Sequence, residues 1–517
     1  MWPRFGIKIG NSTLCIAYVR ADGKAEVIAN KQGDRVSQAC LLWNGDTEIE
    51  CGLTAKQKMA TRPKQAVAHS FQLLQPKESL SEDKLSNALK EVPCEYDKET
   101  FVFRMEHTIP ADKEDQDDKI VTKELSAVEV TEQLLRAELE LARQYHTDTD
   151  HAPIAVLSIP SYYPPQAVKL LSDAAKSAGF NVAQVIAEPT AAVLCYKIGE
   201  EQLEKPLEKL ERQHVLTIKC GGLYSDFALY AVQNGYLMEL ATFGPFSIGG
   251  RQFTEALVQF ICEEFKRKYK LDPHESRRSL AKIRTAAANC KHILTTLPST
   301  QLYIDSLMDG VDYNAQMSRA RFESLIQPVI NNLIQQLGEC VERAQQDHPE
   351  LKRIDDIVLL GATMQIPKLQ AAVAARFPDA KLHTSHSADE VVAIGCARQA
   401  VYLLDPQQAQ LQKADDCVLV EDDLYIWHGN DESNAKLVLS KGSILPAKIK
   451  VSLPQSGEGD AIDALASFKL RTGQSEILAH LPDTTPTTDD GLFQLEVEVD
   501  WDDKDGNIVP LVRLRCM

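Results

Sequence analysis

The sequence predicts an α/β protein of two similar lobes followed by a small all-β domain, and three observations carry that prediction. An alternating hairpin with a glycine turn occurs twice, about 210 residues apart. Continuous apolar runs of strand length alternate with apolar residues at helical spacing over roughly the first 400 residues. Beyond Cys417 only short strand patterns occur, separated by loops rich in Gly, Asp and Pro, with no long helical pattern after them.

In chain order, Phe5, Ile7 and Ile9 alternate into Gly10-Asn11-Ser12, and Leu14, Ile16 and Tyr18 lead out. Ile154–Ile159 is wholly apolar but for Ser158, as a buried strand is, and Pro160 ends it. A helix is expected from Pro165, with Val168, Leu171 and Ala175 on one face and Gly179 as its stop. The second hairpin runs from Leu216, Ile218 and Cys220 through Gly221-Gly222 to Phe227 and Leu229. Phe322, Leu325, Ile326, Val329, Ile330, Leu333 and Leu337 mark a further helix, and 357–360 a buried strand running into Gly361-Ala362. The acidic stretch 106–119 reads as a surface loop. These patterns divide the chain into residues 1–404, with a lobe boundary near 200–215, a polar linker at 405–416, and a β domain at 417–517 with strands at 436–440, 449–453, 492–499 and 509–514.

A length of 517 residues exceeds what one core can fill. The net charge of −18 argues against general binding to nucleic acid or membrane, and the run Lys266, Arg267, Lys268 and Lys270 reads as a solvated helix end. Twelve cysteines occur without Cys-x-x-Cys or a zinc spacing, and Cys15, Cys195, Cys262 and Cys340 keep apolar company. No apolar run approaches the roughly 18 residues of a membrane span. The expectation is a cytosolic chain with reduced thiols and no metal site.

Several segments then occur in a telling order. These are Gly6-Ile7-Lys8-Ile9-Gly10-Asn11-Ser12, Ile186-Ala187-Glu188-Pro189-Thr190-Ala191-Ala192, Gly221-Gly222, Ile248-Gly249-Gly250-Arg251-Gln252-Phe253, Ile304-Asp305-Ser306-Leu307 through residues 318–323, and residues 358–367. From residue 5 to about 400, and more weakly beyond through Lys441-Gly442-Ser443-Ile444-Leu445-Pro446, the chain resembles the heat-shock seventy (DnaK-type) chaperones. The resemblance implies a two-lobed, actin-like ATPase fold binding ATP between the lobes, with a peptide-binding, sandwich-like β domain. It implies phosphate loops at Gly10, Asn11 and Ser12, at Gly221 and Gly222, and around Gly249 and Gly250. Lys291 and Thr295 would flank the adenosine, Gly361, Ala362 and Gln365 would lie against the base, and Asp389 would sit near the ribose and purine. Successive backbone N–H groups in such turns form nests for phosphate oxygens.

The pattern then breaks where the family keeps its chemistry. Its two metal-holding aspartates read Lys8 and Lys219, its catalytic lysine reads Phe71 if 66–74 aligns, and the two phosphate-loop threonines read Asn11 and Tyr224. Glu188 and Asp226 survive. Magnesium needs oxygen ligands and an ammonium offers no acceptor. The expectation is therefore ATP binding without magnesium and without efficient hydrolysis, and no catalytic residue is assigned. Two ammonium groups about 4 Å apart at an effective dielectric near 20 would repel by roughly 4 kcal/mol, which an anion between them would relieve. With no helical lid in view, the chain resembles the atypical member of the ribosome-associated complex. That implies a co-chaperone for newly made proteins, with a J-domain partner and indirect contact with ribosome and nascent chain. The competing expectation is an active, ATP-hydrolysing chaperone.

Overall fold

In the computed structural model the described residues are 4–20, 22–45, 48–90, 92–109, 119–146, 151–199, 212–233, 236–349 and 351–403, with strands of the C-terminal region at 418–419, 424–428, 435–439, 444–445, 447–454, 467–472, 475–480, 492–504 and 507–516. The linker expected at 405–416, and most of the expected lobe boundary, lie outside them. The chain forms two compact units. One comprises residues 1–198, 213–232 and 239–405, the other 199–212, 233–238 and 406–517.

The larger unit contains two sheets wound alike. In the first lobe β1 (Phe5–Ile9) pairs antiparallel with β2 (Thr13–Val19), which continues to β3 (Ala25–Val27). On its other side β1 pairs parallel with β4 (Ile154–Ile159), and β4 with β5 (Asn181–Ala187). The second lobe repeats the plan with β6 (Gln213–Cys220), β7 (Ser225–Gln233), β8 (Tyr236–Phe246), β9 (Asp356–Leu360) and β10 (Lys381–His383). The sheet orders are β5-β4-β1-β2-β3 and β10-β9-β6-β7-β8, so each lobe puts its glycine hairpin beside parallel strands. The recurrence read from sequence is thus a repeat of topology.

Each sheet is buried by its own helices. In the first lobe Phe5, Ile7 and Ile9 pack with Leu135, Leu139 and Leu171 of α1 (Ala127–Arg143) and α2 (Pro165–Ala178). Helix α1 starts at a capping box, Ser126 with Glu129, and α2 stops at Gly179, whose φ of 112° a side chain would resist. The short α3 (Glu188–Cys195) follows β5 directly. In the second lobe Leu216, Ile218, Phe227 and Leu229 pack with Phe253, Leu257 and Ile261 of α4 (Gly250–Tyr269), beside α5 (Arg277–Thr296) and α6 (Arg319–Asp347). Helix α7 (Val391–Tyr402) packs on β1 and α3, crowding its Gly395 against the Ala191 carbonyl. Cys15, Cys195 and Cys262 are about 1% exposed and Cys340 is 9% exposed, in keeping with their apolar surroundings.

The smaller unit is all-β in its described residues. Leu424–His428, Lys436–Leu439, Ser467–Thr472 and Ser475–His480 form one antiparallel sheet, and Ala447–Pro454, Leu492–Lys504 and Asn507–Cys516 another. Leu424, Ile426 and Trp427 are almost wholly buried. Where a loop was expected over 106–119, residues up to Ile109 and again from Lys119 are strand, because Val102–Ile109 pairs with Lys119–Ser126 in register from Ile109 to Val102, and residues 110–118 lie outside the described residues. Buried Phe103 and Met105 carry the strand onward, and Lys64 meets Glu106 at 2.8 Å.

One buried charge makes stability depend on pH. Glu138 of α1 is 2% exposed, its Oε2 has no hydrogen-bond partner among the described residues, and burial pushes its pKa up to about 7 from 4.5, against the opposing hydrogen bond from Ser37. The folded state then holds a proton that the unfolded chain releases, so stability falls as pH rises from about 4.5 through 7 and levels off above. Glu138→Gln should stabilise by up to about 3 kcal/mol at pH 8 and by little at pH 5, as read by urea unfolding at the two pH values.

Candidate functional site

Between the lobes lies a cleft of about 960 Å³ lined by Gly10, Asn11 and Ser12 from one hairpin and Gly221, Gly222 and Tyr224 from the other. The turns close identically, Gly10 N–H donating to the Thr13 carbonyl and Gly221 N–H to the Tyr224 carbonyl, each at 2.9 Å. The N–H groups of Gly10 and Gly221 are thereby used, and the successive N–H groups of Asn11 and Ser12, and of Gly222 and Leu223, have no acceptor among the described residues. A Cβ on Gly222 would strike the Ser12 hydroxyl, so the two turns approach as closely as glycine allows. Gly361, at φ 87°, brings its backbone against the Cys220 carbonyl in the same way.

Charge in the cleft runs opposite to the whole molecule. Five lysines and two arginines line it against Glu188, Glu255 and Asp389, in a chain of net charge −18. Lys291 is buried, with Nζ donating to the Gly250 carbonyl at 2.8 Å and to Thr254 Oγ1 at 2.9 Å, and burial pushes its pKa down to about 8. Burial likewise lowers Lys56 and takes His292 down to about 4, leaving that ring neutral at pH 7. A basic cleft with unclaimed N–H groups fits a polyanion such as a nucleotide.

The hairpin lysines point inward. Lys8 is 9% exposed and donates to Thr13 Oγ1 at 2.9 Å and to the Thr13 carbonyl at 3.3 Å. Burial lowers its pKa, Glu188 works against that, and Lys219 adds to it. Lys219 stands directly across the ladder from Asp226. Its Nζ pairs with Asp226 at 3.2 Å and, more tightly still, with Glu188 at the start of α3. Burial opposes the Lys219 charge, but the two carboxylates more than offset it and raise its pKa. Asp226 is pushed up to about 6 by burial, against the pull of Lys219 and with the help of Glu188. Both retained carboxylates are therefore occupied as counter-ions. The bare repulsion expected between Lys8 and Lys219 is offset within the protein, since two carboxylates balance two ammonium groups.

Comparison with known proteins agrees with this architecture. A family model described as Hsp70 protein matches residues 4–420. The chain belongs to the Hsp70 family. It is 30% identical over 462 residues to heat shock 70 kDa protein 14 of Bos taurus, covering 87% of this chain and 84% of that protein. The Danio rerio protein of the same name is 31% identical over 476 residues (91% and 88%), and that of Homo sapiens 31% over 463 residues (87% and 84%).

Within this Hsp70 fold Gly10, Asn11, Ser12, Gly221, Gly222, Gly250, Lys291, Thr295, Gly361, Ala362 and Asp389 converge on the cleft. Thr295 turns its hydroxyl back to the His292 carbonyl at 2.6 Å. Gly249 and Gln365 are not among the lining residues. Gly249 caps α4 where a Cβ would meet the Leu223 backbone, and Gln365 donates to Ser387 Oγ and Asp389 Oδ1, each at 2.8 Å. Phe71 does line the cleft, stacked on Tyr163 with ring centroids 5.6 Å apart. Lys56, His292, Gln72 and Tyr162 were not singled out by sequence. Their roles arise from burial and from partners far away in the chain, as with Tyr162, whose ring lies 5.7 Å from Lys219 Nζ. Among the described residues no helix is long and apolar enough to cross a membrane, and no group of three metal-ligating side chains occurs.

Lys219 should prove structurally indispensable. Lys219→Met strands two buried carboxylates and should cost about 3–5 kcal/mol. Adding Glu188→Gln and Asp226→Asn should return most of that loss in denaturant unfolding.

Proposed function

We propose that this Hsp70-family chain is a cytosolic co-chaperone that binds ATP without magnesium and without efficient hydrolysis, and that it assists newly made proteins beside a J-domain protein in a ribosome-associated complex. The observation that carries the reading is the Lys219 ammonium held between Glu188 and Asp226. A divalent cation at that point would need those carboxylates as ligands, and would face the ammonium groups of Lys219 and Lys8. Hydrolysis of a phosphoanhydride depends on charge stabilisation around the transferred group and on a positioned water. Here Phe71 and Tyr162 give that end of the cleft an aromatic wall, backed by Tyr163, whose ring packs against both.

In this reading nucleotide is a structural ligand that stabilises the chain by mass action. Phosphates would engage the Asn11–Ser12 and Gly222–Leu223 N–H groups, with Lys8 as the nearby cation. The J-domain partner and the ribosome follow from the resemblance of a chain that has lost its hydrolytic carboxylates to the atypical subunit of that complex. Co-purification from gently lysed cells with a J-domain protein and ribosomes tests them, and a free monomer would count against them.

Calorimetry should show ATP binding in EDTA at least as tight as in excess magnesium, and single-turnover assays with a J-domain protein should show no hydrolysis above background. Binding that needs magnesium, or J-stimulated turnover, would instead mark an active chaperone ATPase.

A further inference from the structure

The side chains where the pattern breaks do more than remove chemistry; two of them, Asn11 and Tyr224, are wired together through Gln72. Asn11 Oδ1 accepts from the Gln72 backbone N–H at 2.7 Å, and Gln72 Oε1 accepts from the Tyr224 hydroxyl at 3.0 Å. Asn11 and Gln72 belong to the first lobe and Tyr224 to the turn of the second. Gln72 is 5% exposed, and its amide nitrogen is committed to the Ala88 carbonyl at 3.1 Å. That bond fixes which way the amide faces, leaving the oxygen to the other lobe. The segment is held in place at some expense, since His69, the residue before its short helical turn, sits at φ 57°, a left-handed conformation disfavoured for a non-glycine residue. The Tyr163 hydroxyl clamps the same turn by donating to the Phe71 carbonyl at 3.0 Å.

We propose that Asn11, Gln72 and Tyr224 form a latch that holds the two lobes together across the cleft when no nucleotide is bound. A buried amide oxygen whose donor is lost carries the full desolvation penalty, so opening the lobes here is disfavoured unless water enters to replace the tyrosine. The latch sets how often the cleft opens, and hence how fast a ligand leaves. Only this last consequence rests on the nucleotide reading.

The test uses the full chain without nucleotide, with bioorthogonal spin labels at exposed Lys98 in the first lobe and Gln301 in the second. The wild-type chain should give one narrow interlobe distance. Tyr224→Phe, which removes a single hydroxyl, and Gln72→Leu should each add a longer population, and the double variant should add no more than either alone. An unchanged distribution in Tyr224→Phe, or effects of the two substitutions that add, would overturn the latch. In a second arm, dissociation of a fluorescent ATP analogue in EDTA should be about tenfold faster from Tyr224→Phe, and an equal rate would also count against the latch. If the analogue binds neither protein, the nucleotide reading fails, while the distance measurement still decides the latch.

Discussion

The molecule is organised around one ammonium group buried between two carboxylates. Lys219 is attached to the hairpin of the second lobe, Asp226 faces it across the ladder, and Glu188 comes from the first helical turn after β5. Each member of this trio would be costly to bury alone, and removing one exposes the remainder to that cost. The trio thus ties a strand of one lobe to the end of a strand of the other. It also fixes the electrostatics of the cleft floor, because both acidic groups there are already used. The remaining lining charge, from Lys8, Lys56 and Lys291 among others, is left to face whatever enters.

Much of the architecture was legible in the sequence, because strand and helix periodicities report burial directly. The two hairpins, the buried strands at Ile154–Ile159 and Asp356–Leu360, and the helix around Phe322 to Leu337 all rest on apolar residues whose spacing has one structural meaning. The strands Leu424–His428 and Ser467–Thr472 were less legible, being short and mixed in polarity. The extension of Val102–Ile109 past Glu106 was hidden by the charge of Glu106 and by the acidic run at 112–118 that follows in sequence.

The candidate site divides in the same way. Glycine turns announce themselves, so the residues forming the floor were found. Which side chain pairs with which was not found, because those partners lie far apart in the chain. Glu188 and Asp226 read as remnants of catalysis, yet both turn out to hold a lysine, a fact visible only once β6, β7 and α3 are assembled. Gln365 matched a motif in sequence, but in space it supports Asp389 instead of lining the cleft.

The matched windings of the two sheets lead to a last point. Lys8 and Lys219 each stand two residues before the glycine of their turn, and by register the residue across from Lys219 is Asp226 while that across from Lys8 is Cys15. A backbone with near twofold repetition therefore carries a lopsided charge. On one side of the cleft floor Lys219 faces a carboxylate in its own ladder, and on the other the Lys8 ammonium donates to the neutral oxygens of Thr13. The floor is thereby a polarised surface, with a field directed from Lys8 toward the trio of Lys219, Glu188 and Asp226, whose two carboxylates outnumber its one ammonium. An asymmetric anion entering it has a preferred heading before any contact with its uncharged end is made.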